Sequence, residues 1–183
     1  MGGWDVNVGC GPFRAPEPWV NLDVHQGDGV NPDRVVADHM FPLAEFGDET
    51  VGRVYMGHVL EHVHWADLDG FLADILRAMV PGGELCVVGP DAYRTLEQWR
   101  IGAEPWELVQ AVLESDVPQA DLEMWPGATH KWNCHEARVV KALKSAGVVD
   151  VHPRPLNPLM LGDWPVVAYT AWQCAATGRK GDG

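Results

Sequence analysis

The sequence predicts an α/β domain: a mostly parallel, seven-stranded sheet with helices on both faces. Three observations predict it. Short apolar runs alternate with stretches of helical periodicity, the pattern of strands joined by crossover helices. Most of the early runs stop at a glycine or a carboxylate, as strands do when they enter a turn. The length, 183 residues of which 46% are hydrophobic, suits one domain with a real core, taken here as residues 1–183.

Residues 5–9 (DVNVG) read as the first strand, ending in Gly9-Cys10-Gly11. Trp19 to Val24 (WVNLDV) is the second, with Asp23 near its end. Arg34 to Ala37 is the third, stopped by Asp38. Val51 to Met56 is the fourth, punctuated by Gly57, and Glu84 to Val88 is the fifth, after the turn Pro81-Gly82-Gly83. Val148 to Val151 and Val166 to Trp172 complete the set. Between strands four and five, Ala66 to Val80 places Leu68, Phe71, Leu72, Ile75, Leu76 and Met79 at amphipathic helical spacing. Glu107 to Glu114 reads as a helix through Leu108, Val109, Val112 and Leu113. His135 to Ala146 is another, through Val139, Val140 and Leu143, and it stops at Gly147. Residues 12–18, with three prolines in or bordering the stretch, are too short for a helix, and residues 25–33 look equally loop-like. Residues 177–183 read as a flexible tail.

Composition excludes several function classes. No run of about 18 apolar residues exists, so no membrane span is expected. No secretory signal is read, and a cytoplasmic setting is expected. The four cysteines form no C-x-x-C pair, so neither disulfides nor structural zinc is expected. The formal net charge of −13, with no Lys/Arg cluster, argues against nucleic acid, whose phosphates demand a cationic surface. Nine tryptophans in so small an acidic chain serve a core first and an apolar pocket second, and they also suit a homodimer.

Ligands of parallel sheets bind beyond the carboxyl ends of the strands. That rule gathers Gly9 to Gly11, Asp23, Asp38, His58 to His62 and Asp91 along one edge. Glycines admit a ligand close to the backbone, and a carboxylate on the next strand can accept both hydroxyls of a ribose. Asp38 could accept from an adenine amino group. A nucleoside-containing cofactor is therefore expected. A dinucleotide fits less well, because Arg14 stands where G-x-G-x-x-G requires glycine, and no P-loop follows the turn.

"VNVGCGPF", "VNLDV", "VVADHMFPL", "VYMGHVLEHV" and "MVPGGELCVVGPD" come in the order and spacing of class I S-adenosylmethionine-dependent methyltransferases. They are most similar to the small group with L-E-H after the fourth strand, and "HKWNCHEARVVKALKSAGVVDV" resembles the same group before its sixth strand. The resemblance covers most of residues 4–152. It implies a Rossmann-like sheet; residues 12–18 and 25–33 depart from the family in leaving the early helices shortened, a minimal version. It implies S-adenosylmethionine as cofactor, with Asn7, Gly9, Cys10 and Gly11 near its methionine part. Asp23 would meet the ribose, and Asp38, His39 and Met40 the adenine. Gly57 and His58 would lie beside the sulfonium. Asn7 and Phe13 depart from the family, where an acidic residue and a third glycine are common.

His62 and His130 are the candidates for a general base; Glu61 and His62 equally suit a structural tie, and His130 a surface position. His58, His62 and His64 lack a well-placed further ligand, so no metal is assigned. Neither the amino-methylation signature Asp/Asn-Pro-Pro-Tyr/Phe nor a Pro-Cys pair is present. The acceptor is thus read as a small molecule or glycan-like group, methylated at oxygen, with residues 92–135 as lid and selectivity segment. Two other classes stay open: a non-catalytic relative acting as binding or regulatory partner, and an NAD-dependent enzyme.

Overall fold

The computed structural model describes residues 3–27, 29–104, 109, 131–154, 164–165 and 173–182. The strands are β1 (Trp4–Val8), β2 (Val20–Asp23), β3 (Arg34–Val35), β4 (Val51–Gly57), β5 (Met79–Pro90), β6 (Val148–Arg154) and β7 (Gln173–Lys180). They form one seven-stranded sheet in the order β3-β2-β1-β4-β5-β7-β6. All pairs are parallel except those of β7, which runs antiparallel to both β5 and β6. The helices are α1 (Leu68–Ala78), α2 (Ala92–Arg100) and α3 (Glu136–Ser145). Short 3-10 turns at Leu60–His62 and Trp65–Asp67 link β4 to α1.

Helix α1 buries Leu68, Phe71, Leu72, Ile75 and Ala78, the stripe that its spacing predicts. Each large side chain buried there stabilises the fold by about 1.5–3 kcal/mol. Val139, Ala142 and Leu143 of α3 join the same core, against Val6, Val8, Val54, Met56, Leu85 and Val87 of the strands. Arg77 anchors α1 to the preceding loop: it donates to the carbonyls of Phe46 and Leu43 and pairs with Asp48 and Asp74.

The sequence predicts helices on both faces. Among the described residues, α1 and α3 cover one face, while Ala15, Trp19 and Trp164 pack on Tyr55, Cys86, Val88 and Ala175 of the other. The short link between β1 and β2 holds no helix, so Trp19 supplies the cover; it stacks under the Arg53 guanidinium at 4.9 Å and against Trp164 at 5.8 Å.

Two boundaries differ from expectation. The Pro81-Gly82-Gly83 turn lies inside β5, which starts at Met79, and the register against β4 slips between Val51 and Arg53. A side chain at Gly83 would strike the carbonyls of Val80 and Gly52, so glycine lets the irregularity pack closely. The expected tail over 177–183 is corrected: Thr177–Lys180 pair with β5 on one side and β6 on the other. Its polar side chains read as a tail, but the backbone ladder and the apolar Cys174–Ala176 before it make it a central strand. Helix α2 carries Tyr93 and Arg94 in its first turn; Asp91 starts it by accepting from their backbone N–H groups. The expected strand over Val166–Trp172, and all of the expected helix over Glu107–Glu114 except Val109, lie outside the described residues.

Candidate functional site

The carboxyl ends of β1, β2 and β4 lie side by side, because the three strands are parallel neighbours in the sheet. Gly9 and Gly11 both have left-handed backbones, φ 65° and 51°. A β-carbon on Gly9 would meet Val59 Cγ2 at 2.6 Å, so glycine is required for the turn to lie against β4. Gly11 is different: a β-carbon there meets nothing within 4 Å. Its open side faces space in which a ligand could approach the backbone.

Asp23 closes that space from β2. Its Oδ2 accepts from the Gly11 N–H at 2.8 Å, and its Oδ1 from the His25 N–H at 3.0 Å. The two bonds orient the carboxylate and leave each oxygen a further lone pair. Asp38 is exposed and accepts from the Met40 N–H at 2.9 Å, forming an Asx turn. His39 points into solvent beside it, and Met40 packs part-buried on the core. Asp23, Asp38 and the glycine turn are thus free of any ion pair with an arginine or lysine in the described set. The donor and acceptor set, with the open side of Gly11, fits a nucleoside carrying a ribose diol.

Asn7 and Cys10 also make internal contacts. Asn7 is buried, and its amide donates to Asn21 Oδ1 at 2.9 Å. Asn21 in turn accepts from the Ala15 N–H and donates to Asp33 and the Ala15 carbonyl. Asn7 therefore braces the turn from beneath. The Cys10 side chain is also buried; burial, then the Asp23 charge, pushes its thiol up to about 11, so it stays neutral and only its backbone reaches the rim.

At the end of β4, His58 is left-handed with φ 57°, a strained conformation for a residue of its size. Its N–H donates to the Val88 carbonyl. Its Nδ1 lies 3.0 Å from Glu61 Oε1, and its Nε2 lies 2.6 Å from the Gln173 amide nitrogen. Glu61 is fully buried, while the His58 ring is about one-third exposed. His62 ends the 3-10 turn, half-buried, with its N–H bonded to the Val59 carbonyl. The structure thus brings His58, not His62, against the buried carboxylate. The spacing of His58 and Glu61, three apart, was legible; Gln173, 115 residues away, was not. His130 lies outside the described residues.

The Leu60–His62 turn is held by Trp132, whose indole N–H is shared between the carbonyls of Leu60 and Val63. Trp132 is therefore core. Asp91 is also buried: Oδ1 caps α2, and Oδ2 accepts from the Glu136 N–H of α3. Tyr93 stands exposed beyond it, its ring 4.9 Å from that of His135. Among the described residues no three His, Cys, Asp or Glu side chains gather as metal ligands would, and no helix is long and apolar enough to cross a membrane.

A cavity of about 390 Å³ lies elsewhere, on the sheet face at β5, β6 and β7, bounded by Glu84, His152, Arg154, Trp164 and Arg179. It contains none of the rim residues, and its charges are partly spent in the Arg179–Asp150 pair. The chemistry gathers at the rim.

Residues 6–87 match the methyltransferase-domain family. No curated protein matches the sequence. Among solved structures, a SAM-dependent methyltransferase from Archaeoglobus fulgidus aligns over 98% of this chain and 86% of its own, at 15% identity and a TM-score of 0.63. One from Methanosarcina mazei aligns over 98% and 93%, at 14% identity and 0.57. A third, from Thermotoga maritima, aligns over 98% and 83%, at 13% identity and 0.59. The family match spans β1 to β5, the strands whose ends make the rim, and the structural likeness spans the whole sheet: the chain is built on the fold of the class I S-adenosylmethionine-dependent methyltransferases.

Proposed function

We propose that the protein binds S-adenosylmethionine at this rim and transfers its methyl group to a small-molecule or glycan-like acceptor, at oxygen. The carrying observation is the Asp23 carboxylate, fixed by the Gly11 and His25 N–H groups next to the open side of Gly11. In this reading Asp23 accepts the two ribose hydroxyls. Asp38, with His39 and Met40, receives the adenine. Gly9 to Gly11, with Gly57 and His58, line the methionine part, and Asn7 supports them through Asn21. When bound, the cofactor supplies a methyl group already activated on a cationic sulfur. The protein's task is to align an acceptor behind that carbon and exclude water. Residues 92–135 would choose the acceptor, with Tyr93 and His135 at its entrance. The proton released from a hydroxyl would pass to His62 or His130.

Calorimetry with S-adenosylmethionine and its demethylated product tests the reading. Binding of both is expected, with Asp23→Ala weakening each by tenfold or more, about 1.4 kcal/mol per decade. No heat from either near a millimolar would overturn it. A screen for release of the demethylated cofactor across pooled acceptors then identifies the acceptor, and His62→Ala measures that residue's share. A cytoplasmic setting and a homodimer belong to the same reading; sedimentation measures the second. One observation favours a non-catalytic binding partner instead: the Asn7 amide is spent on Asn21 and carries no charge for the cofactor's ammonium. Calorimetry separates the two.

A further inference from the structure

Among the described residues, one face of the sheet is only half covered. Helices α1 and α3 pack on one side; on the other the cover is Ala15, Trp19 and Trp164. Beyond Trp164, over β5, β7 and β6, side chains stand in cross-strand rows. Glu84 is opposite Arg179, Thr177 opposite His152, and Ala175 opposite Arg154. Directly opposed residues share a face, and Glu84, Thr177, Arg179, His152 and Arg154 all border the cavity of about 390 Å³. Its floor is low because Thr177 is short, the Leu85 side chain belongs to the core on the opposite face, and Gly178 has no side chain. Ligand pockets hold about 300–1,000 Å³, so the volume suits a small molecule.

Charge is divided along this groove. The β6–β7 register slips between Val149 and His152, where Asp150 takes a left-handed backbone, φ 50°, and pairs with Arg179. Glu84, across from Arg179, adds a second carboxylate. That end has two carboxylates to one guanidinium and is net negative. Arg154 supplies the opposite charge. Its Nε donates to Thr177 Oγ1 at 2.9 Å, which tips the guanidinium over the floor. Among the described residues neither Arg154 nor Glu84 has an ion-pair partner. The Glu84–Arg179 row lies two residues along β7 from Thr177, and Glu84 is one strand across. Strand geometry makes that about 6.6 Å by about 4.8 Å, a separation of about 8 Å.

We propose that this groove is a second ligand site and takes a small zwitterion, an aliphatic chain with a carboxylate at one end and an ammonium at the other. The carboxylate meets the Arg154 guanidinium, whose two terminal nitrogens form the fork that a carboxylate fills. The ammonium meets Glu84, and the methylenes lie along the floor beside Trp164. An α-amino acid without a charged side chain holds its two charges too close together to reach both ends. A simple anion meets the acidic end unfavourably, and a simple cation meets Arg154 unfavourably. The groove lies toward the start of β5, away from the rim at its carboxyl end, and it stands whether or not the rim binds a methyl donor.

The test is an NMR titration at pH 7.5 that follows the Thr177 and Gly178 amides. The probes are 5-aminopentanoate, pentanoate, pentylamine and glycine. An exposed ion pair is worth up to about fivefold in affinity. Wild type is therefore expected to bind 5-aminopentanoate about threefold to fivefold more tightly than pentanoate or pentylamine, with glycine weakest. Arg154→Gln is expected to bring 5-aminopentanoate down to the level of pentylamine, and Glu84→Gln down to that of pentanoate. Both residues are exposed, so urea midpoints should stay near wild type. In wild type alone, amides that do not move at 50 mM 5-aminopentanoate overturn the proposal. So does a zwitterion bound no more tightly than pentanoate or pentylamine, whether or not the variants fold. Shifts that persist unchanged in both variants also overturn it, because they place the probe elsewhere.

Discussion

Two glycines two residues apart, Gly9 and Gly11, carry different burdens, and the difference is measurable. At Gly9 a β-carbon would sit 2.6 Å from Val59 Cγ2 on a left-handed backbone. Gly9→Ala is therefore expected to destabilise the fold by about 2–4 kcal/mol, from strain and overpacking together. At Gly11 only the backbone conformation resists, so Gly11→Ala should cost about 1 kcal/mol in stability yet block cofactor binding. Urea midpoints and calorimetry on the two variants check both halves. Cys10 makes a pH prediction. Its thiol is raised from 9.0 to about 11 by burial and by Asp23, so folding favours the neutral form. That contribution is fully present below pH 9 and is lost as pH rises toward 11. Between pH 8 and pH 10.5, urea midpoints of wild type should fall further than those of Cys10→Ala. The glycines, Asp23 and Asp38 were legible as a site because strand-end chemistry is local. The role of Asn7 was not, because its partner Asn21 lies on the neighbouring strand, and pairing register decides that contact.

Among the elements, α2 and α3 begin on the same carboxylate. Asp91 accepts from Tyr93 and Arg94 at the start of α2 and from Glu136 at the start of α3. Helix starts leave unpaired N–H groups that a capping carboxylate satisfies at about 1 kcal/mol each. Asp91→Ala is thus expected to lower stability by about 2–4 kcal/mol, since buried donors are also left unpaired. Asp91→Asn should retain part of it through its one remaining oxygen. Urea denaturation reads both. In the sequence Asp91 looks like one more rim acid; burial and a partner 45 residues away turn it into a support. Helix α1 was legible because a stripe of large apolar residues repeats at the helical period. Helix α2 is legible only at its first turn, because it buries little beyond Ala92 and Thr95 and lacks that stripe.

For the whole molecule, the last strand decides whether the sheet closes. β7 lies between β5 and β6, so the end of the chain joins the middle of the sheet to its edge. Deleting residues 177–183 removes half of that strand and strands β6 and part of α3 from the core. Loss of cooperative thermal unfolding is expected; a variant that melts like wild type would show that these residues act as a tail. The alternation of strand and helix, the parallel sheet and the glycine–carboxylate rim could all be read along the chain. Each depends on periodicity and turn chemistry over a few neighbouring residues. The insertion of β7, the bracing of Asn7, the burial of Asp91 and the meeting of His58, Glu61 and Gln173 appear only when the sheet assembles. Each joins groups far apart in the chain, and pairing order and packing, not local preference, bring them together.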